Sequence, residues 1–177
     1  MQRRTLGRTG IDVSAFGLGT MVLGAWGNTD HGACHRIIHR ALDAGINLVD
    51  TADVYASGES EEIVGAAIAG QRDEVVLATK FHNAMSDDPN HRGNSRRWIR
   101  RAVDASLRRL GTDHIDLYQV HRPDPSTDIP ETLAALTDLE SSRRTRSCVA
   151  ASRPTFCPRA AATTSAYSCG VRCRVAG

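Results

Sequence analysis

Three polar residues stand where short apolar runs end. Asp50 follows Ile46-Asn-Leu-Val, Lys80 follows Val75-Val-Leu-Ala-Thr, and His121 follows Ile115-Asp-Leu-Tyr-Gln-Val. A carboxylate, an ammonium and an imidazole can hold or move a proton once they are brought together. Charged residues also end strands simply because the chain meets water there, so their chemistry depends on whether the preceding elements deliver all three to one rim. Two other groupings have ligand-like spacing. His31, His35 and His39 recur every four residues, which places them on one helix face. No Glu joins them in an H-E-x-x-H arrangement, and they sit at the edge of the apolar stripe, facing solvent. Cys169-Gly-Val-Arg-Cys173 has neither the spacing of paired zinc knuckles nor a C-x-x-C. No metal site is expected from either.

The elements that must position the three residues alternate. Residues 15–19 read as a short buried strand closing in a glycine turn. Residues 31–44 form a helix, with Cys34, Ile37, Ile38, Ala41 and Leu42 at helical spacing, Asp30 as N-cap and Gly45 as the stop. Residues 46–50 are a second strand. A helix follows from Ser60 to about Ala69, with acids in its first turn where the helix dipole favours them. The continuous apolar run 75–79 fits a strand buried on both faces. After a polar loop, a helix runs from Ser95 to Gly111. Trp98, Ile99, Ala102, Val103, Ser106 and Leu110 line its inner stripe; Arg96, Arg97, Arg100, Asp104, Arg108 and Arg109 line the outer one. A strand at 115–120 and a helix from Pro130 to Leu139 complete four βα units.

Parallel strands joined by helical crossovers follow from this order. An open doubly wound sheet and a closed barrel share it. Gly17-Leu-Gly19-Thr-Met-Val22 lacks the third glycine of the dinucleotide fingerprint, and no G-x-x-x-x-G-K-[ST] loop occurs. Polar residues at successive strand ends instead suit the C-terminal face of a barrel. The expected fold class is α/β, an incomplete (β/α)8 TIM-barrel type of about four βα units followed by an irregular tail.

The chain has 177 residues, 41% hydrophobic and 24% charged, with a formal net charge of +2. No apolar run approaches the roughly 18 residues of a membrane helix. The opening Met1-Gln-Arg-Arg-Thr-Leu-Gly lacks the apolar segment of a signal peptide, so a cytoplasmic location is the expectation. The arginines are scattered without a groove-reading motif, which argues against a nucleic-acid partner. Charge and cysteine are unevenly spread. Residues 1–139 hold 15 Lys+Arg against 19 Asp+Glu; residues 140–177 hold 7 Arg, one acid and four of the five cysteines. A boundary near residue 140 is expected.

Four blocks carry a family resemblance. Thr5-Leu-Gly-Arg-Thr-Gly-Ile-Asp-Val-Ser-Ala-Phe-Gly-Leu-Gly-Thr20 opens the chain. Asn47-Leu-Val-Asp-Thr-Ala-Asp-Val-Tyr55 with Ser60-Glu61, then Val76-Leu-Ala-Thr-Lys80, then Ser106-Leu-Arg-Arg-Leu-Gly-Thr-Asp-His-Ile-Asp-Leu-Tyr-Gln-Val-His121 follow in order. Together they resemble the N-terminal half of the aldo-keto reductases over residues 5–139. The resemblance implies an oxidoreductase that reduces a small aldehyde or ketone with hydride from NADPH. It implies Tyr55 as the general acid, Lys80 as the ammonium that stabilises its phenolate, Asp50 as the partner holding Lys80, and His121 as the group that orients the substrate oxygen. Gly19, Thr20 and Met21, with Asp50, match the turn lying against the nicotinamide. After the tyrosine, many relatives have Gly; Ala56-Ser-Gly-Glu-Ser60 stands here, so a differently shaped loop is expected. The alternative reading is a non-catalytic fragment or interaction protein that keeps the motifs.

From Glu140 the resemblance ends. Glu140-Ser-Ser-Arg-Arg-Thr-Arg-Ser-Cys-Val-Ala-Ala-Ser-Arg-Pro154 and the residues beyond it have no sustained period of 2 or 3.6. Arg, Ala and Cys without Lys point to a GC-rich coding region translated out of frame, which sequencing the gene checks. A (β/α)8 barrel takes about 250 residues, and four units leave open sheet edges through which the chain is expected to self-associate. The resemblance places the aromatic that stacks on nicotinamide and the basic residues for the 2′-phosphate in the second half. This chain alone is therefore expected to bind NADPH weakly or not at all. A titration followed by nucleotide fluorescence reads this directly; saturation at micromolar NADPH contradicts it.

Overall fold

The structure, a computed structural model, describes residues 1–142. The expected irregular tail lies, from residue 143 onward, outside the described residues. Four parallel strands form one sheet: β3 (Gly17–Gly19), β4 (Leu48–Asp50), β5 (Val76–Phe81) and β6 (Leu117–Val120), in the spatial order β3-β4-β5-β6. A doubly wound sheet reverses its strand order part-way across. Here each strand lies beside the next in sequence, which is the winding of a (β/α)8 barrel. Helices α1 (His31–Asp43), α2 (Glu59–Ile68), α3 (Arg96–Leu110) and α4 (Ile129–Ser141) follow the four strands in turn, and each packs on its sequence neighbour. The fold is an incomplete α/β barrel.

Two short strands precede the sheet and are not foretold by hydrophobic periodicity. Strands β1 (Arg3–Thr5) and β2 (Asp12–Ser14) pair antiparallel ahead of the sheet. These strands are three residues each, and β1 is exposed throughout, so they carry no hydrophobic alternation to read. Asn47, at the N-terminal end of β4, docks them. Its Oδ1 accepts from the Ser14 amide at 2.7 Å and its Nδ2 donates to the Asp12 carbonyl at 2.9 Å. A cavity lined by Asp12, Asn47, Asp73 and Asp116 lies at this end, opposite the ends that carry Asp50 and Lys80.

Helix ends follow local chemistry. Asp30 accepts from the Ala33 amide at 3.0 Å and Ser95 from the Trp98 amide at 3.2 Å. At the end of α1, the Gly45 amide donates to Leu42 O and the Ile46 amide to Ala41 O. This double closure needs a left-handed residue, and Gly45 supplies it with φ of 87°. Ile37, expected on the inner stripe of α1, is 45% exposed; Cys34 and Ile38 carry that face instead. The stripe of α3 is buried as its periodicity indicates.

The core lies between helices and sheet. Ile38, Ile63, Ile99 and Leu136 from the helices meet Val49, Leu77 and Phe81 from the strands. Helices α2 and α3 approach so closely that a Cβ on Gly65 falls 2.3 Å from the Leu110 carbonyl oxygen. Backbone cannot move aside as a flexible side chain can. Gly65→Ala is expected to destabilise the chain by about 1–3 kcal/mol, the cost of overpacking. A lowered urea midpoint at unchanged slope checks this; an unaltered midpoint removes the claim that α2 sits on the α3 backbone.

Candidate active site

Strand register brings the first pair together. Asp50 is opposite Ala78, and Lys80 stands two residues further along β5, hence on the same face of the sheet. Lys80 Nζ donates to Asp50 Oδ2 at 2.6 Å and to the Thr51 carbonyl at 2.9 Å. Its third contact is the Tyr55 hydroxyl, at 3.4 Å. An ammonium has three donors, and all three are engaged. Lys80 is only 6% exposed, so its charge rests on these oxygens rather than on water. It lies within β5 rather than just beyond it, because pairing continues to Phe81, which stacks on Tyr118 with centroids 4.9 Å apart.

Tyr55 comes from the loop after β4. Ala56 and Ser57 then turn left-handed, with φ of 49° and 58°, and Gly58 follows with φ of 102°. His121 follows β6, and its amide donates to the Phe81 carbonyl at 2.9 Å. Its ring meets the Tyr55 ring edge-on, with centroids 5.8 Å apart. Burial, followed by the nearby Lys80 charge, pushes its pKa down to about 4, so the imidazole is neutral at physiological pH. All four residues singled out in the sequence therefore converge on the C-terminal rim of the sheet.

Gly19, Thr20 and Met21 lie at the same rim. The Thr20 amide donates to the Asp50 carbonyl at 3.0 Å. Its hydroxyl is buried between that carbonyl and Ser60 Oγ, at 3.2 and 2.9 Å. Thr20 thus latches β3 and α2 onto the end of β4, while Gly19 and Met21 are exposed. The three histidines of α1 part company: His31 pairs with Glu59 at 2.8 Å, and His39 meets the Ala67 carbonyl at 2.8 Å.

Several site neighbours escaped the sequence reading. Trp26, 53% exposed, stands 6.1 Å from the Tyr55 ring. Asn83 Nδ2 lies 3.0 Å from His121 Nδ1. Behind the sheet, Glu61 is fully buried, accepting from Thr79 Oγ1 at 2.6 Å and Arg109 Nε at 2.6 Å. The sequence placed Glu61 in an acidic helix start and Arg109 on a solvated stripe. The pair instead satisfies itself inside, a tertiary choice that helical periodicity does not encode.

A model of the aldo/keto reductase family matches residues 15–147. The chain belongs to the aldo/keto reductase family. It is 45% identical over 150 residues to the aldo-keto reductase YhdN of Bacillus subtilis, covering 82% of this chain and 45% of that protein. It is 42% identical over 142 residues to an uncharacterized oxidoreductase of the same organism, YqkF, covering 79% of this chain and 45% of the relative. A solved aldo-keto reductase of Bacillus halodurans, in its holo form, superposes with a TM-score of 0.77 at 39% identity, over 87% of this chain and 51% of that one. The chain thus spans less than half the length of these two curated relatives. The aldo/keto reductase match ends at 147, a few residues past the compositional boundary.

Within this family framework, Asp53 adds a titrating group beneath the rim. It is 1% exposed, and its amide donates to the Lys80 carbonyl at 3.1 Å. Arg109 is committed to Glu61, so Asp53 is the surplus carboxyl. Burial, reinforced by Glu61, raises its pKa to about 7. The folded chain then keeps a proton that the unfolded chain releases above about pH 4, and stability falls as pH rises from about 4 to 7 before levelling. At ~1.4 kcal/mol per pKa unit this component totals on the order of 4 kcal/mol. Asp53→Asn is expected to remove it. Urea unfolding across that pH range compares the two, and a variant with the wild-type slope shows that Asp53 is not the source.

Proposed function

We propose that this chain carries the proton-transfer half of a carbonyl reductase, taking a small aldehyde or ketone to the alcohol. The observation that carries the reading is the Lys80 ammonium, held 2.6 Å from Asp50 and 3.4 Å from the Tyr55 hydroxyl on one rim. Tyr55 Oη gives its proton to the carbonyl oxygen. Lys80 stabilises the phenolate left behind, because an opposite charge at this range favours the ionised form. Asp50 and the Thr51 carbonyl hold the ammonium in place. His121, neutral and edge-on to Tyr55, donates to the same carbonyl oxygen and orients it.

NADPH, when bound, supplies the hydride that reaches the carbonyl carbon. The residues present fit its nicotinamide end. Gly19 and Met21 are exposed beside Asp50, and a Cβ on Gly19 meets nothing within 4 Å, so a flat ring can approach the backbone there. Thr20 serves this turn by fixing it to the Asp50 carbonyl.

The test is NADPH oxidation with nitrobenzaldehyde at millimolar cofactor, because the chain covers less than half the length of its relatives. Tyr55→Phe is expected to lower kcat by about 10²–10⁴-fold, the usual worth of a positioned general acid. Turnover that survives the substitution removes Tyr55 as the proton donor. Turnover in neither protein favours the non-catalytic fragment.

A further inference from the structure

The loop after β5 reaches the imidazole at Nδ1. Asn83 Nδ2 lies 3.0 Å from His121 Nδ1. An amide nitrogen only donates, so Nδ1 accepts and the ring proton of the neutral imidazole sits on Nε2. We infer that Asn83 is a positioning residue: it fixes His121 as the Nε2–H tautomer, the form whose free N–H can donate to a substrate carbonyl oxygen. The consequence for substrate rests on the reductase reading above; the tautomer does not.

The chain is built to present Asn83 there. His82, just before it, adopts φ of 134°, a region that non-glycine residues seldom enter. Buried Asn94 holds that conformation: its Oδ1 accepts from His82 Nδ1 at 2.9 Å, and its Nδ2 donates to the Arg122 carbonyl at 3.2 Å. The Asn94 amide donates to Asp124 Oδ2 at 3.0 Å. One asparagine thus ties the turn that aims Asn83 to the residue following His121. The Tyr55 ring meets the imidazole edge-on, and the groups whose charge acts on it are Lys80 from β5, Arg122 from the β6 loop and His82 from the Asn83 loop. Each opposes a second ring proton, which leaves the choice between two neutral tautomers to the Asn83 amide.

The test uses the ¹⁵N-labelled full chain and long-range proton–nitrogen correlation of its 7 histidines, with His121 assigned by the peak lost in His121→Asn. Wild type is expected to show an unprotonated Nδ1 and a protonated Nε2. Asn83→Asp offers only an acceptor and is expected to move the proton onto Nδ1. Asn83→Leu, close in size and unable to bond, is expected to give a mixture of tautomers. A wild-type ring protonated on Nδ1 overturns the inference, as does an Nε2–H pattern that persists in both variants. The expected shifts without turnover in any protein support the tautomer assignment and count against the reductase reading.

Discussion

A nearly buried ammonium organises this chain. Lys80 cannot be satisfied by water, so three oxygens must reach it at once, from the end of β4, the residue after it, and the loop beyond. Removing one partner from a buried charge pair typically costs about 3–5 kcal/mol. The β4–β5 register is therefore under electrostatic as well as hydrophobic control. A slip of one residue would turn Lys80 towards the helix layer, where Leu77 and Phe81 are buried. The pairing of Asp50 with Ala78 is what allows the carboxylate and the ammonium to meet.

The opposite face of β5 is pinned as well. Thr79 precedes Lys80 and points the other way. Its hydroxyl bonds to Glu61 on α2, which also takes Arg109 from α3. One strand thus carries a cation on its inner face and anchors a buried ion pair on its outer face. The strand cannot shift along its length without breaking both polar contacts. Asp53 is a surplus carboxyl beside this pair, neutral over much of the acidic range because burial, reinforced by the Glu61 charge, disfavours its ionised form. The polar layer beneath the rim and the polar cluster on it share a single backbone.

Much of this was legible in the sequence because the signals are local. The stripe from Trp98 to Leu110, the caps at Asp30 and Ser95, and the glycine stop at Gly45 depend only on neighbours a turn away. Asp50, Lys80 and His121 were visible as the last polar residues of apolar runs, while Tyr55 needed the family resemblance, because it lies on a loop that no period describes. What stayed hidden is set by tertiary contact. Nothing around Arg109 distinguishes it from its solvated neighbour Arg108; only the fold puts Glu61 within reach. Asn83 sits in a polar loop among other polar residues, and its relation to His121 spans 38 positions. The β1–β2 hairpin depends on Asn47, more than thirty residues away.

The distribution of backbone strain follows the same division. Among the described residues, the non-glycine positions with positive φ are Ala56, Ser57 and His82. All lie in the loops that leave β4 and β5 at the rim, directly beside Tyr55 and Asn83. Left-handed or stretched conformations cost on the order of 1–3 kcal/mol each for such residues, and they persist where the surroundings over-determine them. The surroundings do so here: Gly58 leaves room for the Arg109 side chain, whose Cδ lies 2.6 Å from where a Cβ would stand, and Asn94 clamps His82. The strands supply rigid ends for Asp50 and Lys80 at little strain. The Tyr55 phenol and the Asn83 amide that meets the His121 imidazole are presented instead by turns the chain would not adopt on its own. The helix layer provides the packing against which those turns are held.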